Sequence, residues 1–198
     1  MIPGVSAWSA WSPRVVAERL AGVRAPWCIA AGWALDLFQG RATRPHHDIE
    51  IAVPAAGFTE VAACLGDCDF YVPRDGELMP ATPATLDAGF QTWALERATG
   101  RWRVDIFREP HDGDIWVCRR DDRLRRPYTE TIRLSPEGIP YLTPEIALLF
   151  KAKAVREKDQ ADFDRTLPLL DAGQRRWLAH ALALVHPGHP WASLVVPG

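Results

Sequence analysis

Short apolar segments separated by glycine and proline run along most of this chain, and their spacing alternates between strand and helix patterns. The continuous apolar run from Trp27 to Ala31 predicts a strand, and Gly32 follows it as a turn. The amphipathic stretch Trp33 to Gln39 predicts a helix that ends at Gly40. Asp48 to Ile51 then alternates polar and apolar residues, which predicts a second strand. The order is strand, glycine turn, helix, strand.

The rest of the chain supplies more elements of both kinds. Ser12-Pro13 is a typical helix start, so a helix is expected to run to Leu20 and to stop near Gly22. A further helix is predicted from Phe58 to Leu65. Strands are predicted at Asp69 to Val72, Phe90 to Leu95, Arg101 to Phe107 and Ile115 to Cys118. After Ser135 the pattern becomes helical, with segments starting at Thr143-Pro144, Leu167 to Leu170 and Trp177 to Val185, and a tail from Pro187 to Gly198.

Helices early in the chain and hairpins later predict an α/β (α+β) fold with a mixed sheet flanked by helices, not regular βαβ alternation. We expect a first domain over residues 1–135 and a C-terminal helical segment over residues 136–198 packed on it. The net charge of −2 and the pI of about 6.3 argue against a nucleic acid partner. No secretion signal or apolar run of transmembrane length is present, so a cytoplasmic protein without membrane contact is expected.

Three carboxylates stand between apolar residues in the predicted strands. Residues two apart on a strand share a face, so Asp48 and Glu50 project together. Asp105, in the alternating segment Arg103 to Phe107, would supply a third carboxylate. Such a cluster suits Mg²⁺, and two-metal phosphoryl or nucleotidyl transfer requires one. The alternative is that these acids are surface residues on a solvated sheet face.

The glycine turn before the first helix is a candidate anion site, because backbone N–H groups at a helix start bind phosphate. Arg41 and Arg44, in the loop that leads to Asp48, would pair with phosphate oxygens. Lys151 would reach the same phosphates from a later helix. Its spacing fits equally well an ordinary exposed lysine whose stem lies on the core.

Two strings of residues resemble a known family when taken whole. They are Ala31-Gly32-Trp33-Ala34-Leu35-Asp36 and Gly40-Arg41-Ala42-Thr43-Arg44-Pro45-His46-His47-Asp48-Ile49-Glu50. Together they resemble the nucleotidyltransferase superfamily of polymerase-β-like fold, and within it the aminoglycoside 2''-adenylyltransferase-like and lincosamide nucleotidyltransferase group. Tyr141 to Lys153 and Lys158 to Phe163 resemble the C-terminal helical segment of that group. One departure is that the paired glycine of the family is Ala31-Gly32 here.

The resemblance implies a Mg²⁺-dependent enzyme, with two ions, that moves a nucleoside monophosphate, AMP from ATP, to a hydroxyl of a small molecule and releases pyrophosphate. The residues expected to bind metal and to catalyse are Asp48, Glu50 and Asp105. The residues expected to bind the nucleotide are Ala31, Gly32, Trp33, Arg41, Thr43, Arg44 and Lys151. The resemblance also favours phosphate contact for Lys151 over the exposed alternative.

The acceptor is the open question at this stage. Aminoglycosides and lincosamides, as in antibiotic resistance, are suggested by the resemblance alone. A polycationic acceptor would need an acidic cleft, for which the candidates are Glu77, Asp87, Glu96, Glu109, Asp112 and Asp114, unless these are solvated loop residues. Two other functions remain possible, a toxin–antitoxin-type nucleotidyltransferase acting on protein or tRNA and a non-catalytic nucleotide-binding module. The oligomeric state is not indicated by the sequence.

Overall fold

The computed structural model describes residues 2–195 and contains a mixture of short strands and helices. The strands are β1 (Cys28–Ile29), β2 (Glu50–Pro54), β3 (Cys68–Arg74), β4 (Glu77–Pro80), β5 (Gln91–Glu96), β6 (Arg101–Glu109), β7 (His111–Asp112), β8 (Ile115–Val117), β9 (Arg125–Pro127), β10 (Ile132–Leu134) and β11 (Pro140–Leu142). The α-helices are α1 (Pro13–Arg19), α2 (Ala31–Gln39), α3 (Phe58–Cys64), α4 (Pro83–Asp87), α5 (Tyr128–Thr131), α6 (Pro144–Lys151), α7 (Glu157–Thr166), α8 (Ala172–Val185) and α9 (Trp191–Val195). Three-residue 3₁₀ helices occur at Val5–Ala7, Ala55–Gly57 and Leu167–Leu169.

Eight of these strands form one mixed sheet in the order β10-β11-β1-β2-β6-β5-β3-β4. Strand β2 runs parallel to β6 and antiparallel to β1, and β1 runs parallel to β11. A second sheet has the order β7-β8-β9. The predicted fold class, a mixed sheet flanked by helices, is confirmed.

The two central strands alternate between the core and the opposite face of the sheet. Ile51, Val104 and Ile106 are fully buried on one face and belong to a core that α1, α3 and α6 help to enclose. Carboxylates and small residues point to the other face, as the period of a strand requires. This second face carries the candidate site.

Local signals place most of the predicted helices. The Ser12 hydroxyl accepts a hydrogen bond from the Val15 amide at 3.3 Å and caps α1, with Pro13 at the first helical position. Gly40 ends α2 in the left-handed conformation at φ 69°, where a glycine costs little. Both helix ends were predicted from the sequence.

Several elements were not predicted. Strands β10 and β11 extend the main sheet beside β1, and the predicted tail contains α9. Trp191 in α9 is buried and stacks on Phe163 with ring centroids 4.1 Å apart, so this part of the tail packs on α7. Residues 196–198 of the predicted tail lie outside the described part of the chain.

The predicted division at residue 135 remains a prediction. Strand β11, which lies after this boundary, pairs in the main sheet, and α6 and α7 pack against α2. Within residues 2–195, no helix has both the length and the apolar composition needed to cross a membrane.

Candidate active site

Glu50 and Asp105 are direct neighbours across the parallel pair β2 and β6. Their Cα atoms are register partners, so both side chains project from the same face of the sheet. Strand β2 begins at Glu50, two residues later than predicted, so Asp48 lies just before the strand. The Asp105 amide still donates to the Ile49 carbonyl at 2.9 Å. Asp48 is exposed at the mouth of a cleft that Glu50 also lines. The structure therefore brings the three predicted acids together on one face of the sheet, at its two central strands.

Burial and neighbouring negative charge raise the pKa values of Glu50 and Asp105. Burial is the main reason that the pKa of Glu50 rises to about 8, and the charges of Asp48 and Asp105 raise it further. Burial also raises the pKa of Asp105 to about 7, although a hydrogen bond from Gln91 and the charge of Arg119 oppose the rise. A bound cation would remove this repulsion.

The three acids supply oxygen donors, the ligand type that a magnesium ion requires. Within residues 2–195, no group of three or more metal-ligating side chains is arranged to hold a metal ion. Asp105 turns Oδ2 to Gln91 Nε2 at 2.8 Å, while its buried Oδ1 has no hydrogen-bond partner. An unpartnered carboxylate oxygen beside two further acids is the hard donor chemistry that Mg²⁺ prefers. The three acids therefore have the donor chemistry that Mg²⁺ requires, and Oδ1 of Asp105 is a carboxylate oxygen without another partner.

The turn into α2 forms one end of the cleft. Ala30 is the N-cap and makes no side-chain capping bond, so the first amides of α2 have no side-chain acceptor. Ala31 and Gly32 both line the cleft. Ala31 has φ 49°, in the left-handed region that glycine adopts more readily. The alanine at this family glycine position is therefore held in a glycine-like conformation.

Arg44 lies directly over Gly32 and is held there from two sides. Its Nε and Nη2 donate to the two oxygens of Asp162 at 3.2 and 3.1 Å. Its Nη1 lies 3.1 Å from His46 Nδ1. A guanidinium can only donate, so Nδ1 must accept, and the imidazole proton is on Nε2, which donates to Asp36 Oδ2 at 2.7 Å. This assigns a single tautomer to His46.

Asp36 is the buried end of this network. Its other oxygen accepts from the Thr43 hydroxyl at 2.6 Å. Burial alone would raise the pKa of Asp36, but the hydrogen bonds from His46 and Thr43 outweigh it and lower the pKa. Trp33 stacks on the His46 ring at 4.3 Å and closes the network. Thr43 and Trp33, predicted near the nucleotide, are thus in contact with Asp36 and His46.

Lys151 is not the exposed lysine of the alternative interpretation. Its side chain is 8% exposed, and Nζ lies 2.8 Å from Asp159 Oδ1 and 2.9 Å from Asp162 Oδ2. Asp159 also accepts from Arg156 Nε at 2.7 Å. Two aspartates on α7 therefore position Lys151 and Arg44 together, which the sequence analysis did not predict.

Asp48 and Glu50, but not the buried Asp105, line a cleft of about 380 Å³. Of the predicted nucleotide residues it is lined by Ala31, Gly32, Arg44 and Lys151, and not by Trp33, Arg41 or Thr43. Arg41 is exposed outside it. Lys153, Arg156 and Lys158 add positive charge at the same end. We call this the phosphate end, comprising Ala31, Gly32, Arg44, Lys151, Lys153, Arg156 and Lys158.

The opposite end of the cleft was missed by the sequence analysis. We call it the apolar end, lined by Ala52, Phe107, Trp116, Tyr128, Leu142 and Phe150, with Glu109 and Arg119 among them. Glu109 is 2% exposed and pairs with Arg119. Arg119 begins the mixed-charge run Arg119 to Arg126, whose sequence is typical of a solvated loop. Only packing against three phenylalanine rings makes it a cleft residue.

Comparisons with known proteins agree with this geometry. The sequence model of the Aminoglycoside-2''-adenylyltransferase family matches residues 14–80, which include the turn into α2, Asp48 and Glu50. No curated protein sequence matches the chain significantly.

Solved structures share the fold at low sequence identity. The lincomycin-bound lincosamide antibiotic adenylyltransferase LnuA is 16% identical, with 79% of this chain and 95% of that chain covered and a TM-score of 0.55. The antibiotic-resistance factor ANT(2'')-Ia is 16% identical in its solution structure, with 91% and 93% covered and a TM-score of 0.53. The crystal structure of ANT(2'')-Ia in complex with adenylyl-2''-tobramycin aligns at 13% sequence identity, with 92% of this chain and 93% of that chain covered and a TM-score of 0.51.

The predicted resemblance is thereby confirmed: the chain has the nucleotidyltransferase fold and is similar to the aminoglycoside 2''-adenylyltransferase and lincosamide nucleotidyltransferase group.

Proposed function

We propose that this protein transfers a nucleoside monophosphate, AMP from ATP, to a hydroxyl of a small molecule and releases pyrophosphate. The observation that supports it most directly is the register pairing of Glu50 with Asp105 beside the turn into α2. This pairing supports the proposal because both acids project from the sheet face that continues into the phosphate end. The match to antibiotic adenylyltransferases supports an antibiotic-like acceptor.

Asp48, Glu50 and Asp105 would hold Mg²⁺, and two ions would suit a cluster of three acids. Bound Mg²⁺ would neutralise charge on the phosphoryl oxygens and on the acids themselves. The unpartnered Oδ1 of Asp105 and the raised pKa of Glu50 support this role.

The nucleotide would lie with its phosphates at the phosphate end. The amides at Ala31 and Gly32 would donate to phosphate oxygens, and Arg44 and Lys151 would pair with them. Because Asp159 and Asp162 already fix these two cations, little reorganisation is needed when phosphate binds. Arg41, Thr43 and Trp33 would act from outside the cleft, Thr43 and Trp33 through Asp36 and His46.

In the chemical step the acceptor oxygen attacks the α-phosphorus and forms a new P–O bond. The bond from the α-phosphorus to the bridging oxygen breaks, and pyrophosphate takes that electron pair. Asp105 would receive the hydroxyl proton, because its Oδ1 has no hydrogen-bond partner and is a carboxylate oxygen that can accept one.

The test is to incubate the purified protein with each labelled nucleoside triphosphate, Mg²⁺ and a panel of aminoglycosides and lincosamides. Pyrophosphate release and product mass are then measured. We expect a nucleotide-sized mass gain on one compound, lost in Asp48→Ala and Asp105→Asn but retained in Asp112→Asn, which alters an exposed acid. Full activity of Asp105→Asn would remove this residue from the mechanism. Transfer to a protein or tRNA instead would favour the toxin–antitoxin-type alternative, and Mg²⁺-dependent nucleotide binding without turnover would favour a binding module.

A further inference from the structure

The apolar end of the cleft lies farther along the same strands than the acids. On β6, Phe107 and Glu109 follow Asp105 on the same face, and their register partners on β2 are Ala52 and Pro54. At about 3.3 Å per residue, Glu109 lies roughly 13 Å along the strand from Asp105. If the nucleotide takes the phosphate end, this is the space left for an acceptor whose hydroxyl reaches Asp105.

The walls of this space are aromatic and aliphatic. Phe107, Trp116 and Phe150 line it with Leu142, and Trp116 packs edge-on against Phe150 with ring centroids 6.3 Å apart. Such walls bind a flat or ring-shaped apolar surface. They offer few polar partners to a highly hydroxylated or multiply charged molecule.

The charge of this end is positive, not acidic. Arg119 lies 4.0 Å from the centroid of Phe150 and pairs with Glu109. Arg120 lies 4.8 Å from the centroid of the same ring and donates to the Leu149 and Phe150 carbonyls. Two arginines and one carboxylate line this end, an excess of one positive charge. Of the six acids that a polycationic acceptor would need, only Glu109 lines the cleft.

Two polar atoms at the far end lack partners. Glu109 Oε2 and the Tyr128 hydroxyl are buried without a hydrogen bond of normal geometry. Unmade hydrogen bonds of buried groups are costly, and a ligand that supplies them gains affinity. The carboxylate oxygen accepts and the phenol can donate, so the pair suits a group that carries both a donor and an acceptor.

We propose that the acceptor is a hydroxyl-bearing small molecule with an apolar ring face, at most one positive charge, and a polar group that hydrogen-bonds Glu109 and Tyr128. A polycation is disfavoured by the arginines and by the absence of further acids around the apolar end. This inference rests on the proposed nucleotidyl transfer and specifies its second substrate.

The first experiment separates the two proposals. Calorimetry with ATP and Mg²⁺ tests the proposed function, and absence of binding would refute that function and not the acceptor class alone. With binding established, adenylyl transfer is measured by product mass to three probes. They are lincomycin, which has a single basic amine, chloramphenicol, which is neutral, and tobramycin, which has several amines.

We expect transfer to lincomycin or chloramphenicol with a kcat/KM at least about tenfold above that for tobramycin, the equivalent of one lost pairing of a buried group. Equal or better transfer to tobramycin would overturn the acceptor class. Absence of product from all three probes, with ATP binding intact, would overturn it too.

Two variants then test the anchoring pair. Glu109→Gln keeps a partner for Arg119 and Tyr128→Phe removes one hydroxyl, so both are expected to fold. Each should raise the KM for the modified probe about tenfold while the ATP affinity changes less than about twofold. Glu77→Gln, an exposed acid on β4, is the matched control and should behave as wild type. Unchanged probe KM in both variants would exclude the pair as an acceptor anchor.

Discussion

Gly32 lies directly beneath the guanidinium of Arg44. A Cβ on residue 32 would stand 2.4 Å from Arg44 Nη2 and 2.8 Å from His46 Cε1. The absence of a side chain at Gly32 therefore lets Arg44 cross the turn into α2, and it also leaves the backbone open to phosphate. Arg44 and the α2 amides face the same space because this residue has no side chain.

Gly32→Ala should displace Arg44, because the buried His46 ring cannot retreat from its bond to Asp36. We expect an increase in the KM for ATP of about tenfold and a loss of stability of about 1–3 kcal/mol. Nucleotide titration and denaturant unfolding measure the two effects. Gly66→Ala, whose Cβ would lie 3.4 Å from its nearest neighbour, is the control. An unchanged ATP affinity would show that Arg44 does not need its present position.

Ala31→Gly should stabilise the protein. At φ 49° an alanine is strained, and glycine adopts this conformation freely. Relief of this strain should stabilise the protein by about 1 kcal/mol, reduced by the larger conformational entropy that a glycine loses on folding. Ala34→Gly in the same helix, where no positive φ occurs, should instead cost about 1 kcal/mol. Equal destabilisation by both substitutions would mean that residue 31 is unstrained in solution.

Local patterns were enough to predict the turn into α2 and the two central strands. Gly40 is the C-cap of α2, whereas Gly32, predicted as the turn before the helix, is its second residue, and alternation of residues along β2 and β6 marks the acid face. Pairing between β2 and β6 joins residues far apart in the sequence. A metal site shared by their acids nevertheless requires the two strands to be neighbours. These are the parts of the site that the sequence predicts.

Long-range packing decides what the sequence could not show. Strand β11 has three residues, too few for a periodic signal, and belongs to the sheet only because it pairs with β1. Arg119 resembles its solvated neighbour Arg123 in sequence, and only the phenylalanines around it distinguish the two. Lys151 likewise has its partners on another helix.

Asp36→Asn should disturb Arg44 from the opposite side. Thr43 and His46 donate to different oxygens of Asp36, and asparagine replaces one of these oxygens by an NH₂ group that cannot accept. We expect a loss of stability of about 1–3 kcal/mol and weaker ATP binding. Nitrogen NMR of the wild-type imidazole should show the proton of His46 on Nε2. A proton on Nδ1 would contradict the bond to Arg44. Thr43→Val, which leaves the His46 bond intact, should weaken ATP binding less.

Asp159 should make the protein sensitive to acid. Burial by itself would raise its pKa, but hydrogen bonds from Arg156 and Lys151 outweigh burial and lower the pKa to about 2. The unfolded value is about 3.9. A folded pKa below the unfolded one means that the stabilisation is complete above about pH 4 and is lost as the pH falls toward 2. The contribution at neutral pH is about 2–3 kcal/mol.

Unfolding free energies of wild type and Asp159→Asn should therefore differ most at neutral pH and converge as the pH falls from about 4 to about 2. Asp164→Asn, an exposed acid on the same helix, is the matched control and should show little difference at any pH. A gap between wild type and Asp159→Asn that stays constant down to pH 2 would mean that the carboxylate charge is not what stabilises this helix. In that case the stability lost in Asp159→Asn would come from the packing of α7, and Asp162 would be the aspartate that positions Lys151.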